Sequence, residues 1–454
     1  MSREKNQFSS KVGFVLAAAG SAVGLGNLWR FPYLAATYGG GIFLLVYLIL
    51  VATFGFTLMI TEIAIGRKTG HSVVNAYKML NKKFSFLGYL SALVPIFIFP
   101  YYCVIGGWVT KYFSSYVVGH TTQIAQDGYF GSFISKIGEP IIWMAVFLIV
   151  TCVIVMLGVQ KGIEKVSKFL MPALVIMTIG LSIYVMTMPG ALDGVVYYLK
   201  PDFSKFSVKT VLAALGQLFY SMSLAMGIMI TYGSYMNKKN NLESSVRQIE
   251  IFDTGIAFFS GLMIVPAVYA FSNGDAETMS QKGAGLMFEV MPKVFENTGF
   301  GIGTALGIIF FLLVFFAALT SAISMMETLV SFFQDKFGWH RIVTCLVVAG
   351  GAVLIAVPSS LGYGILDAIQ PLGLSILDFF DFITNNIMMP IVALIMCIFV
   401  GYFLKPQAII DEVRLSSKFR EAKFYSVIIR FVAPVFLVAI LVSSVLDVFG
   451  IFPL

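Results

Sequence analysis

Gly20-Ser21-Ala22-Val23-Gly24-Leu25-Gly26-Asn27-Leu28-Trp29-Arg30-Phe31-Pro32 interrupts the first long apolar segment of the chain. Three glycines, an asparagine and an arginine fall between Gly20 and Arg30, a composition foreign to a plain membrane anchor. Glycine lowers the cost of leaving helical geometry. In hydrocarbon a broken helix persists only where its freed amides and carbonyls are buried in protein or line a cavity. The stretch therefore predicts a broken membrane helix, and the break is a candidate binding site.

The rest of the chain has the composition such a helix needs. Its 454 residues are 58% hydrophobic, 15% aromatic and 12% charged, with a mean hydropathy of +0.90. That is the composition of an all-α polytopic membrane protein. The formal charge of +7 is scattered through short loops, with none of the basic stripes that nucleic acid requires. Cys103, Cys152, Cys345 and Cys397 all lie in apolar segments, so neither a disulfide framework nor a metal cluster is indicated. His71, His120 and His340 lie far apart, and nothing resembles a hydrolytic triad or a zinc site. The chain is not expected to be an enzyme. Arg3, Lys5 and Lys11 precede an apolar run ending near Ala22, which imitates a secretory signal. Cleavage is not expected, because the apolar segment continues to about Tyr38.

Each membrane span needs about 20 apolar residues, which predicts eleven: 12–37, 41–65, 87–112, 141–157, 166–188, 210–235, 248–271, 303–333, 342–357, 369–404 and 424–448. With the N-terminus in the cytoplasm, the tail and alternate loops on that side hold 21 of the 30 Lys and Arg residues, as the positive-inside rule expects. The single domain divides into a cytoplasmic tail (1–11), a first repeat (12–188), an outer loop (189–209), a second repeat (210–404), a cytoplasmic loop (405–423) and an eleventh helix with the C-terminus (424–454). The outer segments 120–139 and 275–301 carry apolar positions suited to short capping helices.

The sixth span reads Gly216-Gln217-Leu218-Phe219-Tyr220-Ser221-Met222-Ser223-Leu224-Ala225-Met226-Gly227, and again gathers small and hydroxyl residues at mid-membrane depth. In one span alone, small residues would be read as helix packing. Two interruptions, each opening a set of five spans, fit an inverted five-plus-five repeat with broken first and sixth helices.

Together with Gly39-Gly40-Gly41, Thr61-Glu62-Ile63-Ala64-Ile65-Gly66-Arg67, Gly216-Gln217, Ile230-Thr231-Tyr232 and Ala317-Ala318-Leu319-Thr320-Ser321, the opening stretch resembles the neurotransmitter:sodium symporter family. The likeness is strongest to its bacterial amino-acid transporters and runs over nearly the whole chain. The resemblance implies a multi-pass protein of the bacterial plasma membrane that carries two sodium ions with an amino acid. One ion would be held by Ala22, Asn27, Ser221 and Asp253 with the substrate carboxylate. The other would be held by Gly20, Val23, Ala317, Thr320 and Ser321. The carboxylate would meet the free amides of Leu25 and Gly26 and the Tyr102 hydroxyl, since helix-break amides are natural anion donors.

Chloride-dependent relatives carry Asn at the position of Asp253 and Ser at that of Ala257. The fixed carboxylate here implies that no chloride is needed, and an intramembrane carboxylate is a functional candidate in its own right. Arg30 would pair with Asp381, or with its neighbour Asp378, as the outer gate, closing over the substrate with Gln217 and the ring of Tyr220. Lys5 and Asp335 correspond to the inner ion pair, with Phe8 where a tryptophan is usual. Glu62 resembles a glutamate that bonds unwound backbone. Gly162 and Pro172 resemble a motif at which the fifth span unwinds.

Amine transporters of this family place an aspartate at the position of Gly24, so its absence favours amino acids. The side-chain pocket would comprise Ile98, Tyr102, Tyr220, Ser223, Ala225, Met226, Ser321 and Met325, which offers no charge and suits hydrophobic or aromatic side chains; with Ala22, Gly24, Leu25, Gly26 and Ser221, the resemblance places thirteen residues around the substrate. A proton-coupled exchanger, or a receptor or channel on the same scaffold, remains the alternative. The oligomeric state is not legible.

Overall fold

The computed structural model describes residues 7–272, 274 and 283–448. Its first span is two helices, α1 (Lys11–Ala22) and α2 (Gly26–Thr37), bent by 54° across the break. Ser10 caps α1 by accepting the Gly13 N–H at 3.0 Å, satisfying one of the donors that a helix start leaves open. The long spans are α3 (Gly41–Thr69), α4 (Lys82–Val118), α5 (Glu139–Met156), α6 (Val159–Met186), and, after the interrupted pair α7 (Val208–Ser221) and α8 (Ile228–Ser234), α9 (Leu242–Ser272), α10 (Gly301–Phe337), α11 (Arg341–Leu361), α12 (Ile376–Leu404) and α13 (Ala422–Leu446).

Among the described residues nine helices are long and apolar enough to cross a membrane, ten with the bent pair α1 and α2. The expected sixth span, 210–235, falls outside that count because it is broken into α7 and α8, of 14 and 7 residues. Six non-helical residues separate them, and within that linker Ser223 and Ala225 take left-handed backbone at φ 51° and 63°. Non-glycine residues reach this region only at a cost.

Two boundaries differ from the sequence expectation by about two turns. α6 starts at Val159 rather than 166, because the polar run Gln160–Glu164 is helical, with Glu164 buried. α12 starts at Ile376 rather than 369: Leu372 and Gly373 take positive φ, and Ile369 and Leu372 are exposed. The loop 405–423 contains a helix, Gln407–Arg414, that buries Ile409, Ile410 and Val413.

The expected outer capping helices form at Thr121–Ile124, Tyr129–Ile134 and Met291–Asn297, and the loop 189–209 contains a further helix, Ala191–Leu199. Lys293 hydrogen-bonds Asp127 and holds that carboxyl below its ordinary range, joining two of the outer segments.

Glycine sets how closely the two broken spans approach the rest. Gly66 of α3 lies against the Ile230 carbonyl of α8, and Gly233 of α8 against that of Ile63, so a Cβ at either position would collide with backbone. α4 packs between α10 and α5, and α9 against α1 and α6. Leu48, Ile149, Ile176, Leu354 and Val435 are exposed, as lipid-facing side chains of a multi-pass protein would be.

Candidate functional site

The two breaks face each other at the centre of the bundle. Ser223 Oγ donates to the Ser21 carbonyl at 2.9 Å, and Gln217 Nε2 to the Gly26 carbonyl at 3.0 Å. Glu62 Oε1 accepts the Ala225 N–H at 2.6 Å, so a carboxylate of α3 reaches the unwound linker as expected. Beside the breaks lies a cavity with about 360 Å³ of empty space, lined by Ser21, Ala22, Gly24, Leu25, Gly26, Ile98, Tyr102, Tyr220, Ser223, Met226, Ser321 and Met325.

Eleven of the thirteen residues expected around a substrate are in that lining. Ser221 and Ala225 are not: Ser221 turns its hydroxyl to Asp253, and Ala225 is tied to Glu62. Ser21 is the residue that sequence reading missed. Its hydroxyl accepts from Ser324 Oγ at 2.8 Å, joining α1 to α10, and a signal existed in Ser324 and Thr328 continuing the hydroxyl spacing of Thr320.

The lining is tightly packed at Gly24. A Cβ there would lie 2.6 Å from Ser321 Oγ and 3.1 Å from the Tyr102 hydroxyl, so any side chain, an aspartate included, requires rearrangement. The Leu25 N–H points at the Tyr102 hydroxyl at 3.4 Å. An amide at the helix break and the phenol it donates to thus converge in a cavity that Ile98, Met226 and Met325 also line.

Two groups of oxygens flank the break. In the first, Asn27 Nδ2 donates to Ser221 Oγ at 3.0 Å and to Asp253 Oδ1 at 2.8 Å, and Ser221 Oγ donates to the same Oδ1 at 2.8 Å. Asp253 is fully buried and lies behind Asn27 and Ser221, outside the cavity lining. Tyr47, another missed residue, approaches Asp253 Oδ2 at 3.5 Å. In the second group, Thr320 Oγ1 donates to the Ala317 carbonyl at 3.1 Å, and Ser321 Oγ to those of Ser21 and Val23 at 3.1 and 3.3 Å. Gly20 faces Thr320, with a built Cβ 3.2 Å from the threonine's own. Both groups are oxygen-rich, the donor set of a hard cation.

The expected outer ion pair is not formed with either partner. Arg30 lies 5.3 Å from the centre of the Tyr220 ring, while Asp381 accepts from Tyr101 at 2.9 Å and from Asn385 at 2.7 Å. Asp378 is bonded to Ser375. These neighbours occupy both carboxylates, and Arg30 instead lines an outer vestibule of about 790 Å³ with Tyr220 and Asn385. Tyr220 lines both spaces and is the partition between them. On the opposite side, Lys5 lies outside the described residues. Asp335 accepts the Ser72 N–H at 2.9 Å, and Phe8 is buried with its edge or face against Phe14, Tyr232 and Tyr235.

A profile of the sodium:neurotransmitter symporter family matches residues 5–125 and 116–451. An uncharacterized sodium-dependent transporter of Bacillus subtilis, YhdH, is 34% identical over 461 residues, covering 98% of this chain and 99% of its own. The human sodium- and chloride-dependent GABA transporter 2 is 26% identical over 378 residues, covering 74% of this chain and 62% of its own. The crystal structure of MhsT in complex with L-phenylalanine superposes with a TM-score of 0.87 at 36% identity, covering 97% of this chain and all of that one. Two opposed helix breaks, the oxygen groups beside them and a match along nearly the whole length lead to one assignment: the chain belongs to the sodium:neurotransmitter symporter family.

Proposed function

We propose that this protein carries hydrophobic or aromatic amino acids across the plasma membrane with sodium, by alternating access and without chloride. The observation that carries the reading is that the Leu25 amide meets the Tyr102 hydroxyl in a cavity also lined by Ile98, Met226 and Met325, with no charged side chain in the lining. A substrate carboxylate would take the amides of Leu25 and Gly26 and the phenol, replacing its water with fixed donors. The apolar side chain would enter between the two methionines, whose adaptable shape suits a range of sizes. The L-phenylalanine bound by MhsT supports an amino-acid cargo of this class.

Sodium would ride in the two oxygen groups. Asn27 and Ser221 would ligate one ion beside the carboxylate, with Asp253 orienting both and supplying the fixed negative charge that a chloride would otherwise bring. The carbonyls of Gly20, Val23 and Ala317, with Thr320 and Ser321, would hold the other. Two ions at about 2.3 kcal/mol per charge per 100 mV give roughly 4.6 kcal/mol, enough for about a thousandfold accumulation. Tyr220 would close the outer path above the cargo, with Arg30 moving towards Asp381 as the vestibule contracts. Phe8 would seal the cytoplasmic side, with Lys5 and Asp335.

The test is uptake of each of the twenty amino acids into proteoliposomes, with sodium and then with choline in its place. Sodium-dependent accumulation of leucine, phenylalanine or tryptophan is expected. Currents without accumulation would instead favour a channel, and no sodium dependence for any substrate would overturn the reading.

A further inference from the structure

Outside the cavity and its oxygen groups, one buried carboxylate binds the start of the chain to α6. Glu164 has 2% of its side chain exposed. Its Oε2 accepts the Ser9 N–H at 2.8 Å, its Oε1 is bonded by the Ser9 hydroxyl, and Ser10 Oγ lies 3.4 Å from the same oxygen. Lys168 completes the set at 2.7 Å. The first turn of α1 rests so closely on the carboxylate that a Cβ at Gly13 would collide with it. The adjoining contacts are weaker in kind: Gln160 Nε2 donates to the Gln7 carbonyl at 2.7 Å, and the Phe8 N–H to the Tyr235 carbonyl at 3.1 Å.

A buried carboxylate is costly unless it is paired and hydrogen-bonded. Three of the four bonds that compensate Glu164 come from Ser9 and Ser10. Lifting the N-terminal segment removes all three and leaves only Lys168, whose side chain is 41% exposed. Water must then reach Glu164, so the segment and the start of α6 separate as one event.

We propose that Glu164 is the clasp of the inner gate. Residues 7–13 stay seated while Ser9 and Ser10 are bonded to it, and cargo leaves inward once those bonds open and the carboxylate hydrates. The inference rests on the transport reading above. It assigns a positioning role to a residue that touches neither cargo nor ions, and the role acts at residues 9 and 10.

Amide hydrogen exchange of the full-length protein in sodium buffer tests it, comparing the wild type with E164Q, S9A and the two substitutions combined. Both partial variants should speed exchange across residues 7–20 by about tenfold, leaving α7 and α11 unchanged. The combined variant should be no faster than E164Q, because donors and acceptor belong to one interaction. Saturating sodium with L-phenylalanine should slow exchange in E164Q back towards the wild type, which simple local loosening would not allow. Unchanged exchange in S9A, or effects that add in the combined variant, overturns the clasp. S9A leaves Glu164, Lys168 and the Ser10 cap of α1 in place, so it decides the matter even if E164Q fails to fold. The comparison of variants needs no cargo. A response to sodium without one to phenylalanine counts against the amino-acid reading and leaves the clasp standing.

Discussion

Asn27 donates from Nδ2 to Oδ1 of Asp253 at 2.8 Å, which joins the first helix break to the middle of α9. The same oxygen also receives Ser221, so one buried carboxylate organises both broken spans. Removing its charge weakens hydrogen bonds worth about 1.5–3 kcal/mol each. Asp253→Asn should lower apparent sodium affinity by about ten- to a hundredfold, read as the sodium dependence of uptake. Wild-type uptake should be unchanged when gluconate replaces chloride. Combining Asp253→Asn with Ala257→Ser should make uptake depend on chloride.

Gly24→Ala places a methyl group against Ser321 Oγ, 2.6 Å from the built Cβ. Overpacking of this kind costs about 1–3 kcal/mol, so phenylalanine affinity should fall by about ten- to a hundredfold in equilibrium binding. The melting temperature should move little, since the strain is relieved by displacing the binding wall. Wild-type affinity in this variant would show that the wall lies elsewhere.

Tyr220 separates the cavity from the vestibule, and its ring lies against Gly26. Tyr220→Ala should speed dissociation of bound phenylalanine by about tenfold or more, since changes at a contact surface act mainly on off-rates. Tyr220→Phe, which keeps the ring, should stay near the wild-type rate.

Arg67 and Glu412 form an ion pair at 2.9 Å with side chains 0% and 3% exposed, tying α3 to the helix Gln407–Arg414. Breaking a buried pair from one side costs about 3–5 kcal/mol. Glu412→Ala should therefore lower thermal stability in detergent far more than Lys405→Ala, because no ion pair among the described residues engages Lys405. Equal melting temperatures for the two variants would refute the assignment of stability to this pair.

The first break was legible because its glycines, Asn27 and Arg30 share one apolar segment, and eleven cavity residues followed from the family resemblance that this stretch and later motifs carry. The second was legible only as a region. Its backbone reverses at Ser223 and Ala225, residues with no intrinsic preference for positive φ, so the local sequence does not mark the turn. The start of α6 was missed because Gln160, Lys161 and Glu164 look like loop residues; they are helical where Ser9, Ser10 and Lys168 compensate the carboxylate. The apolar residues at 369–374 imitated a span, yet Ile369 and Leu372 are exposed in a turn. Arg30 and Asp381 were identified as charges, but sequence carries no separation between α2 and α12. Tyr101 and Asn385, which occupy that carboxylate, were legible only as neighbours of residues already singled out.

The left-handed backbone at Ser223 and Ala225 also bears on how the protein is made. The partners that hold it there, the Ser21 carbonyl and the Glu62 carboxylate, both precede it in the chain by more than 150 residues. Synthesis proceeds from the N-terminus, so both partners have emerged before residue 223 leaves the ribosome. The first third of the chain thus serves as the mould in which the second hinge is cast. A ribosome stalled once α8 has cleared its exit tunnel should already display the bond between Glu62 and the Ala225 amide.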